Sequence, residues 1–169
     1  MRHAILSALV VLAAPLATSF GARAQPFELD GNELKVPSSI VFKTAGAELL
    51  PESDAALAHV AAYLAAKDYI STLRVEVHSD ATGSADFNQA LTEKRALAVA
   101  RALVDKGVDC KRLLPVGFGH NKPVAPNDTP EGRAQNRRTS FFNAALKGRP
   151  IGGMPVDGGG KVAGDPCAR

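Results

Sequence analysis

The period of the apolar residues changes twice in the middle of the chain, and this change constrains the fold most. From Pro51 to Lys67 apolar residues recur three, four and seven positions apart, which predicts an amphipathic helix. Residues 73–77 alternate between apolar and polar side chains, which predicts a strand with one buried face. A second helix is predicted from about Ser84 to Lys106, with Gly107 in the position of a left-handed C-cap.

Three further strands are predicted at Ser39–Phe42, Arg112–Val116 and Arg138–Leu146, with a helical turn at Thr129–Asn136 before the last one. The resulting order, β-α-β-α-β-β, predicts an α+β fold. It is a two-layer sandwich in which the helices pack on one face of a mixed four-stranded sheet. Residues 147–169 contain seven Gly and three Pro and have no periodicity, so we interpret them as a flexible tail.

The first 24 residues have the composition of a cleavable signal peptide. They combine a basic start, an apolar stretch from Ala4 to Ala17 and the small residues Ala22 and Ala24 around Arg23. This stretch is shorter than the roughly 20 residues of a membrane-spanning helix. We therefore expect an exported, soluble protein that begins at Gln25, with no transmembrane segment and no cysteine there to accept a lipid. Residues 25–36 are too few to form a domain.

Removing these 24 residues leaves 18 basic and 17 acidic residues, a net charge of +1. Such a balance gives no reason to expect nucleic acid as a partner.

Export favours a disulfide bond between the two cysteines, Cys110 and Cys167, although two separate thiols are an alternative. The cysteines and the four histidines lack the spacing of a metal site, and Gly117-x-Gly119 lacks the third glycine of a dinucleotide loop, so neither metal nor cofactor is expected.

Arg95 stands out because it lies within the predicted apolar arc of the second helix, together with Asn88 and Thr92. The apolar members of this arc are Phe87, Leu91, Ala98, Val99, Ala102 and Leu103. A buried guanidinium stays charged and needs an anion. The nearest candidate is Asp80, which follows the second predicted strand at a place where open sheets often bind ligands. Two interpretations remain open: Asp80 and Arg95 bind a ligand with both charges, or they form a structural salt bridge while Asn88 caps a loop.

The sequence offers no recognisable catalytic group. His78, Ser79 and Asp80 are adjacent, and neighbouring residues of an extended chain point to alternate faces, so they cannot act as a proton relay. No hydrolase nucleophile motif or zinc-protease helix motif is present. The sequence therefore predicts a binding protein with no catalytic residues.

Four ordered motifs connect these residues to a known family. They are His78-Ser79-Asp80-x-x-Gly83, Asn88-x-x-Leu91-x-x-x-Arg95-Ala96, Gly117-x-Gly119 with Pro123, and Glu131-Gly132-Arg133-Ala134-x-Asn136-Arg137-Arg138. Through these motifs, residues 37–146 resemble the OmpA-like domain. This domain occurs at the C-terminus of outer membrane protein A, in peptidoglycan-associated lipoprotein and in flagellar stator proteins.

The resemblance implies non-covalent binding of peptidoglycan. In that family an aspartate after the second strand and an arginine in the second helix bind the diaminopimelate of the stem peptide, and they correspond to Asp80 and Arg95. The aspartate would accept from the ligand's ammonium and the arginine would donate to its carboxylate. The further contact residues implied are Ser79, Thr82, Asn88 and Arg138.

The resemblance also implies a place in the periplasm, at the cell wall or outer membrane of a Gram-negative bacterium. Ser79 stands where threonine is usual, and Thr139–Asn143 lacks the usual alternation of apolar and acidic residues. We expect neither a barrel nor a lipid anchor in the chain, so an outer-membrane or envelope-complex protein is an expected partner. The alternative function is a scaffold or assembly subunit of an envelope machine in which wall binding is secondary.

Overall fold

The computed structural model describes residues 27–152 and 158–168. The segment 1–24, predicted to be a signal peptide, lies outside these ranges. The elements are β1 (Leu29–Asp30), β2 (Glu33–Leu34), α1 (Asp54–Ala66), β3 (Ile70–Val77), α2 (Ala85–Asp105), β4 (Leu113–Gly117), α3 (Pro130–Asn136), β5 (Thr139–Leu146), β6 (Arg149–Pro150) and β7 (Lys161–Val162). Short 3-10 helices at Pro51–Ser53 and Cys110–Arg112 precede α1 and β4.

The strands form one mixed sheet in the order β1-β2-β5-β3-β4-β7, and β6 pairs with the end of β5. The central strand β3 runs parallel to β4 and antiparallel to β5. Apolar residues of α1 and α2, such as Leu64 and Val99, join Leu73 and Val75 of β3 in one buried core. The predicted architecture, with helices on one face of a mixed sheet, is therefore confirmed.

The predicted number of four strands is too low, and the first predicted strand is wrong. Ser39–Phe42 forms no strand, because the amide and carbonyl of Val41 both bond to the Ser53 hydroxyl and only Phe42 makes an isolated bridge. The edge of the sheet beside β5 is instead filled by β2. There Leu34 pairs with Phe141 and is buried in the core, so the short N-terminal segment belongs to the sheet.

Two of the additional strands come from the Gly/Pro-rich region interpreted as a flexible tail. Lys147 and Gly148 both have positive φ, the geometry of a tight hairpin turn, and they connect β5 to β6. Residues 161–162 form β7 at the outer edge of β4. The described parts of this region are thus an ordered extension of the sheet, and its two-residue strands are too short to leave a periodic pattern.

The predicted disulfide bond between Cys110 and Cys167 is present. Cys110 begins the 3-10 helix that leads into β4, and β7 pairs with β4. The bond therefore ties Cys167 to the strand with which β7 pairs.

The predicted end of α2 is confirmed as well. Gly107 has a φ of +90°, and the amides of Gly107 and Val108 donate to the last carbonyls of α2, as in a Schellman motif.

Candidate functional site

Asp80 lies in the loop after β3, close to the ends of β4 and α3. The two residues before Asp80 are held by backbone hydrogen bonds to two different segments. The His78 amide donates to the Arg138 carbonyl, just before β5, and the Ser79 amide donates to the Gly119 carbonyl, just after β4. The Asp80 side chain is buried and bonded through both oxygens. Its Oδ1 accepts from the Thr82 amide at 2.8 Å. Its Oδ2 accepts from Nη1 of Arg137 at 2.6 Å.

These contacts keep the Asp80 carboxylate ionised. Burial acts to raise the pKa of Asp80, but the hydrogen bonds from Arg137 and Thr82 outweigh it, and the pKa lies below its ordinary value of 3.8. Asp80 is therefore a fixed negative charge at neutral pH, as a site for a cationic group requires.

Asn88, in the first turns of α2, supports the turn that follows Asp80. Its side-chain amide donates to the carbonyl of Thr82 at 2.9 Å and to that of Asp80 at 3.4 Å. The same nitrogen lies 3.3 Å from Nδ1 of His120. The structure thus gives Asn88 the role of a loop cap, which was the structural alternative in the sequence interpretation.

The buried face of α2 differs from the predicted arc. Phe87, a member of the predicted arc, is 53% exposed, whereas Gln89, which is not a member, is buried. The side chain of Gln89 donates to the Gly117 carbonyl. The hydroxyl of Thr92 accepts from the Gly119 amide and donates to carbonyls of its own helix. The first half of α2 therefore packs through polar contacts on residues 117–119, at the end of β4. The positions of apolar residues alone do not predict such a polar buried face.

Arg95 lies at the border of this buried face. Its Nε donates to the carbonyl of Gly46 at 2.8 Å, and its guanidinium lies 4.8 Å from the ring centre of Phe42. Burial lowers the pKa of Arg95. Among the described residues no carboxylate pairs with Arg95. The salt bridge proposed between Asp80 and Arg95 is thus not formed, and Asp80 pairs with Arg137 instead.

Arg95 opens onto a cleft of about 430 Å³. The described residues that line it are Ser39, Ile40, Val41, Phe42, Thr44, Ala45, Val77, His78, Arg95, Arg137, Arg138 and Thr139. Three of these residues are arginines and none is an acid. The cleft is therefore suited to an anionic group. Asp80 is not among the described lining residues, but it contacts one of them, Arg137.

The remaining predicted site residues lie at different distances from this cleft. Arg138 lines it and donates to the carbonyl of Lys122 at 3.2 Å. Thr82 is exposed on the turn, and its amide and carbonyl serve Asp80 and Asn88. Ser79 is buried, and its hydroxyl has no partner among the described residues.

Arg137 is a central residue of this site that the sequence analysis did not select. It appeared there only as a member of the motif at residues 131–138. The available signal was the pair of adjacent arginines directly before β5, because two successive side chains at a strand start reach different sides of the chain. One of them, Arg137, reaches Asp80 from there, and both line the cleft.

No helix in residues 27–152 or 158–168 combines the length and apolar character that crossing a membrane requires.

Comparison with known proteins identifies three informative relatives. The chain is 41% identical over 114 residues to probable lipoprotein YiaD of Escherichia coli, covering 67% of this chain and 51% of YiaD. The chain thus corresponds to about half the length of YiaD.

The chain is also 37% identical over 120 residues to outer-membrane lipoprotein YfiB of Pseudomonas aeruginosa, covering 70% of this chain and 71% of YfiB. Among solved structures, the peptidoglycan-associated lipoprotein of Burkholderia pseudomallei superimposes with a TM-score of 0.56 at 32% identity, covering 62% of this chain and 87% of that one. These relatives agree with the predicted envelope location in a Gram-negative bacterium. A model of the OmpA family matches residues 41–137, and the chain belongs to this family.

Proposed function

We propose that the chain binds peptidoglycan non-covalently, without catalysis, and that its ligand is the diaminopimelate of the stem peptide. The observation that carries this proposal is the position of Arg95, whose guanidinium opens onto a cleft. The described residues that line this cleft include two further arginines and no acid. The relative of known structure named above is a peptidoglycan-associated protein, which supports the same ligand class.

The side chain of diaminopimelate ends in an ammonium and a carboxylate, and the site offers a complement to each. Asp80 is an ionised acceptor for the ammonium. The terminal nitrogens of the Arg95 guanidinium have no hydrogen-bond partner among the described residues and would donate to the carboxylate. Arg138 lies in the same cleft and would donate to the same carboxylate. Ser79, Thr82 and Asn88 complete or support the site with neutral polar groups.

The affinity for a single ligand is expected to be modest. One small zwitterion forms only a few charge-assisted bonds, and part of their free energy is offset by the loss of freedom on binding. Retention on the wall would then depend on the many copies of the ligand in each sacculus. A protein at the outer membrane or in an envelope complex is the partner that such binding would connect to the wall.

The test is co-sedimentation of the chain beginning at Gln25 with detergent-washed sacculi. The wild type should pellet, whereas Asp80→Ala and Arg95→Ala should stay in solution while circular dichroism shows that they are folded. Lys94→Ala is a matched control, because Lys94 is an exposed cation next to Arg95 and should leave binding unchanged. If the wild type itself stays in solution, the proposal is wrong and the scaffold function becomes the better explanation.

A further inference from the structure

Arg137 forms the single charged contact of Asp80 within the described part of the chain. Its Nη1 lies 2.6 Å from Oδ2, the oxygen that the Thr82 amide does not use. An ammonium ligand of Asp80 would seek the same oxygen for the same electrostatic reason. In the free protein, therefore, a cation of the chain itself already occupies the acidic half of the proposed site.

The exposure of the two side chains shows how this contact can open. The Asp80 side chain is 12% exposed and the Arg137 side chain is 51% exposed, so the buried carboxylate is covered by a cation that reaches into solvent. An ion pair whose cation extends into solvent can exchange for another contact, because water competes for the exposed guanidinium. No hydrogen bond of the Arg137 guanidinium other than that to Asp80 is found among the described residues.

The cleft offers Arg137 a second place. Arg137 lines it together with Arg95 and Arg138, and no acid is found among the described lining residues. If Arg137 left Asp80, three guanidinium groups would face one another there, and their mutual repulsion would oppose the movement unless an anion entered the cleft. A carboxylate provides that anion and forms the bidentate contacts that arginine favours.

We propose that Arg137 is a specificity-determining residue that occupies the ammonium position on Asp80 in the free protein and moves to the ligand's carboxylate on binding. This inference rests on the proposed function, since it takes diaminopimelate as the ligand. It explains how one site selects a zwitterion. A simple cation would leave Arg137 without an anion, and a simple anion would leave it on Asp80.

The test is a nuclear magnetic resonance titration of the 15N-labelled chain beginning at Gln25. Three probes are compared: meso-diaminopimelate, 1,5-diaminopentane, which carries only the ammonium groups, and pimelate, which carries only the carboxylates. The Thr82 amide reports on Asp80, and the side-chain Nε signal of Arg137 reports on its displacement. In the wild type, diaminopimelate should shift both signals, and the two single-charge probes should bind at least about threefold more weakly, because they lose one of the two contacts.

Arg137→Gln separates the proposal from its alternatives. Removing the competing cation should raise the affinity for 1,5-diaminopentane about two- to fivefold, the range expected for loss of a half-exposed ion pair. It should also weaken the binding of diaminopimelate. Lys94→Gln removes an exposed cation near Arg95 and should change neither affinity. An unchanged or lower affinity of Arg137→Gln for the diamine would overturn the inference, because Arg137 would then only support Asp80.

The two proposals can fail separately in this experiment. If the wild type binds diaminopimelate but Arg137→Gln gains no affinity for the diamine, the proposed function stands and the competing role of Arg137 is wrong. If the wild type does not bind diaminopimelate but the variant gains affinity for the diamine, Arg137 does occupy a cation site and the ligand assignment is wrong. Amide spectra of the variant away from the site should match the wild type, which checks its fold.

Discussion

Gly117, at the end of β4, lies so close to the backbone of α2 that a Cβ atom on it would be 2.4 Å from the amide nitrogen of Glu93. The Cα of Glu93 would be only 2.8 Å away. This close approach lets Thr92 reach the Gly119 amide, and Gly119 in turn holds the residue before Asp80. The absence of a side chain at Gly117 is thus one condition for the geometry of the site.

We expect Gly117→Ala to lower the free energy of unfolding by about 3 kcal/mol, because the added methyl meets helix backbone and not a flexible side chain. The measurement is the urea midpoint at an unchanged m-value. Gly46→Ala is the control, since its added Cβ would have no neighbour closer than 3.6 Å, and its effect should stay within about 0.5 kcal/mol. Similar midpoints for both variants would show that the helix can shift at little cost.

Arg112 holds the end of α1 and the start of β3 through three carbonyl oxygens. Its guanidinium donates to the carbonyls of Leu64, Lys67 and Ile70 at distances between 2.8 and 3.1 Å. The first two carbonyls lie at the C-terminal end of α1, where the helix supplies few amide donors, and that of Lys67 also accepts from the Ile70 amide at 3.1 Å. A planar guanidinium with several donors suits this arrangement better than a lysine ammonium does.

Arg112→Ala should therefore lower the free energy of unfolding by about 2 to 3 kcal/mol, because several carbonyls lose their charged donor. Arg112→Lys should recover only part of that loss. The exposed neighbour Lys111 is the control, and Lys111→Ala should change stability by about 0.5 kcal/mol or less. Chemical denaturation of all three variants gives the comparison, and equal midpoints for Arg112→Ala and wild type would contradict it.

The longer elements could be predicted from the sequence, and so could the position of Asp80 directly after a strand. The repeat in α1 identified its buried side, since Leu57, Val60 and Leu64 all lie in the core. The two-residue strands could not be predicted, because a period needs several residues to appear. β2 and β7 exist only because β5 and β4 present open edges to them.

The arginine contacts show a second limit of sequence analysis. The sequence indicated that Arg95 needs an anion and that Asp80 is the nearest candidate, but it could not show that Asp80 pairs with another arginine. Asp80 pairs with Arg137, which follows it by 57 positions, whereas Arg95 bonds to the Gly46 carbonyl across a loop. Such partners depend on tertiary packing between segments that no local pattern connects.

The disulfide bond between Cys110 and Cys167 should stabilise both the fold and the position of β7. It closes a separation of 57 positions, so reduction should cost up to roughly 4 kcal/mol in the loop-entropy description. Hydrogen exchange at Ala163, whose amide donates to the Pro115 carbonyl at 2.9 Å, should become faster on reduction. The double variant Cys110→Ser with Cys167→Ser should not respond to reductant. Unchanged exchange at Ala163 in the reduced wild type would show that β7 stays paired without the bond.

His78, directly after β3, should make the stability of the fold depend on pH. Its ring is almost fully buried, stacks on Phe118 at 4.9 Å and lies with Nε2 3.3 Å from a carboxylate oxygen of Glu76. Burial lowers the pKa of His78 and outweighs the opposing contact with Glu76, so the pKa lies below its ordinary value of 6.5. The unfolded chain therefore takes up this proton at a higher pH than the folded chain does.

This difference contributes stability above pH 6.5 that is lost progressively as the pH falls from 6.5 towards the lower pKa of the folded state, by at most about 1.4 kcal/mol per pH unit. Burial acts to raise the pKa of Glu76, but its contacts with His78 and Arg74 outweigh burial and lower this pKa below 4.5. The stability contributed by Glu76 is therefore lost only at lower pH.

The measurement is urea unfolding at pH 7.5, 6.5 and 5.5. Between pH 6.5 and 5.5 the free energy of unfolding should fall less for His78→Gln than for wild type. The two proteins should change in parallel between pH 7.5 and 6.5, although the variant is less stable throughout because it loses the stacking on Phe118. Equal losses below pH 6.5 would mean that the folded protein accepts the proton on His78 as readily as the unfolded chain, and that its burial is relieved by local opening.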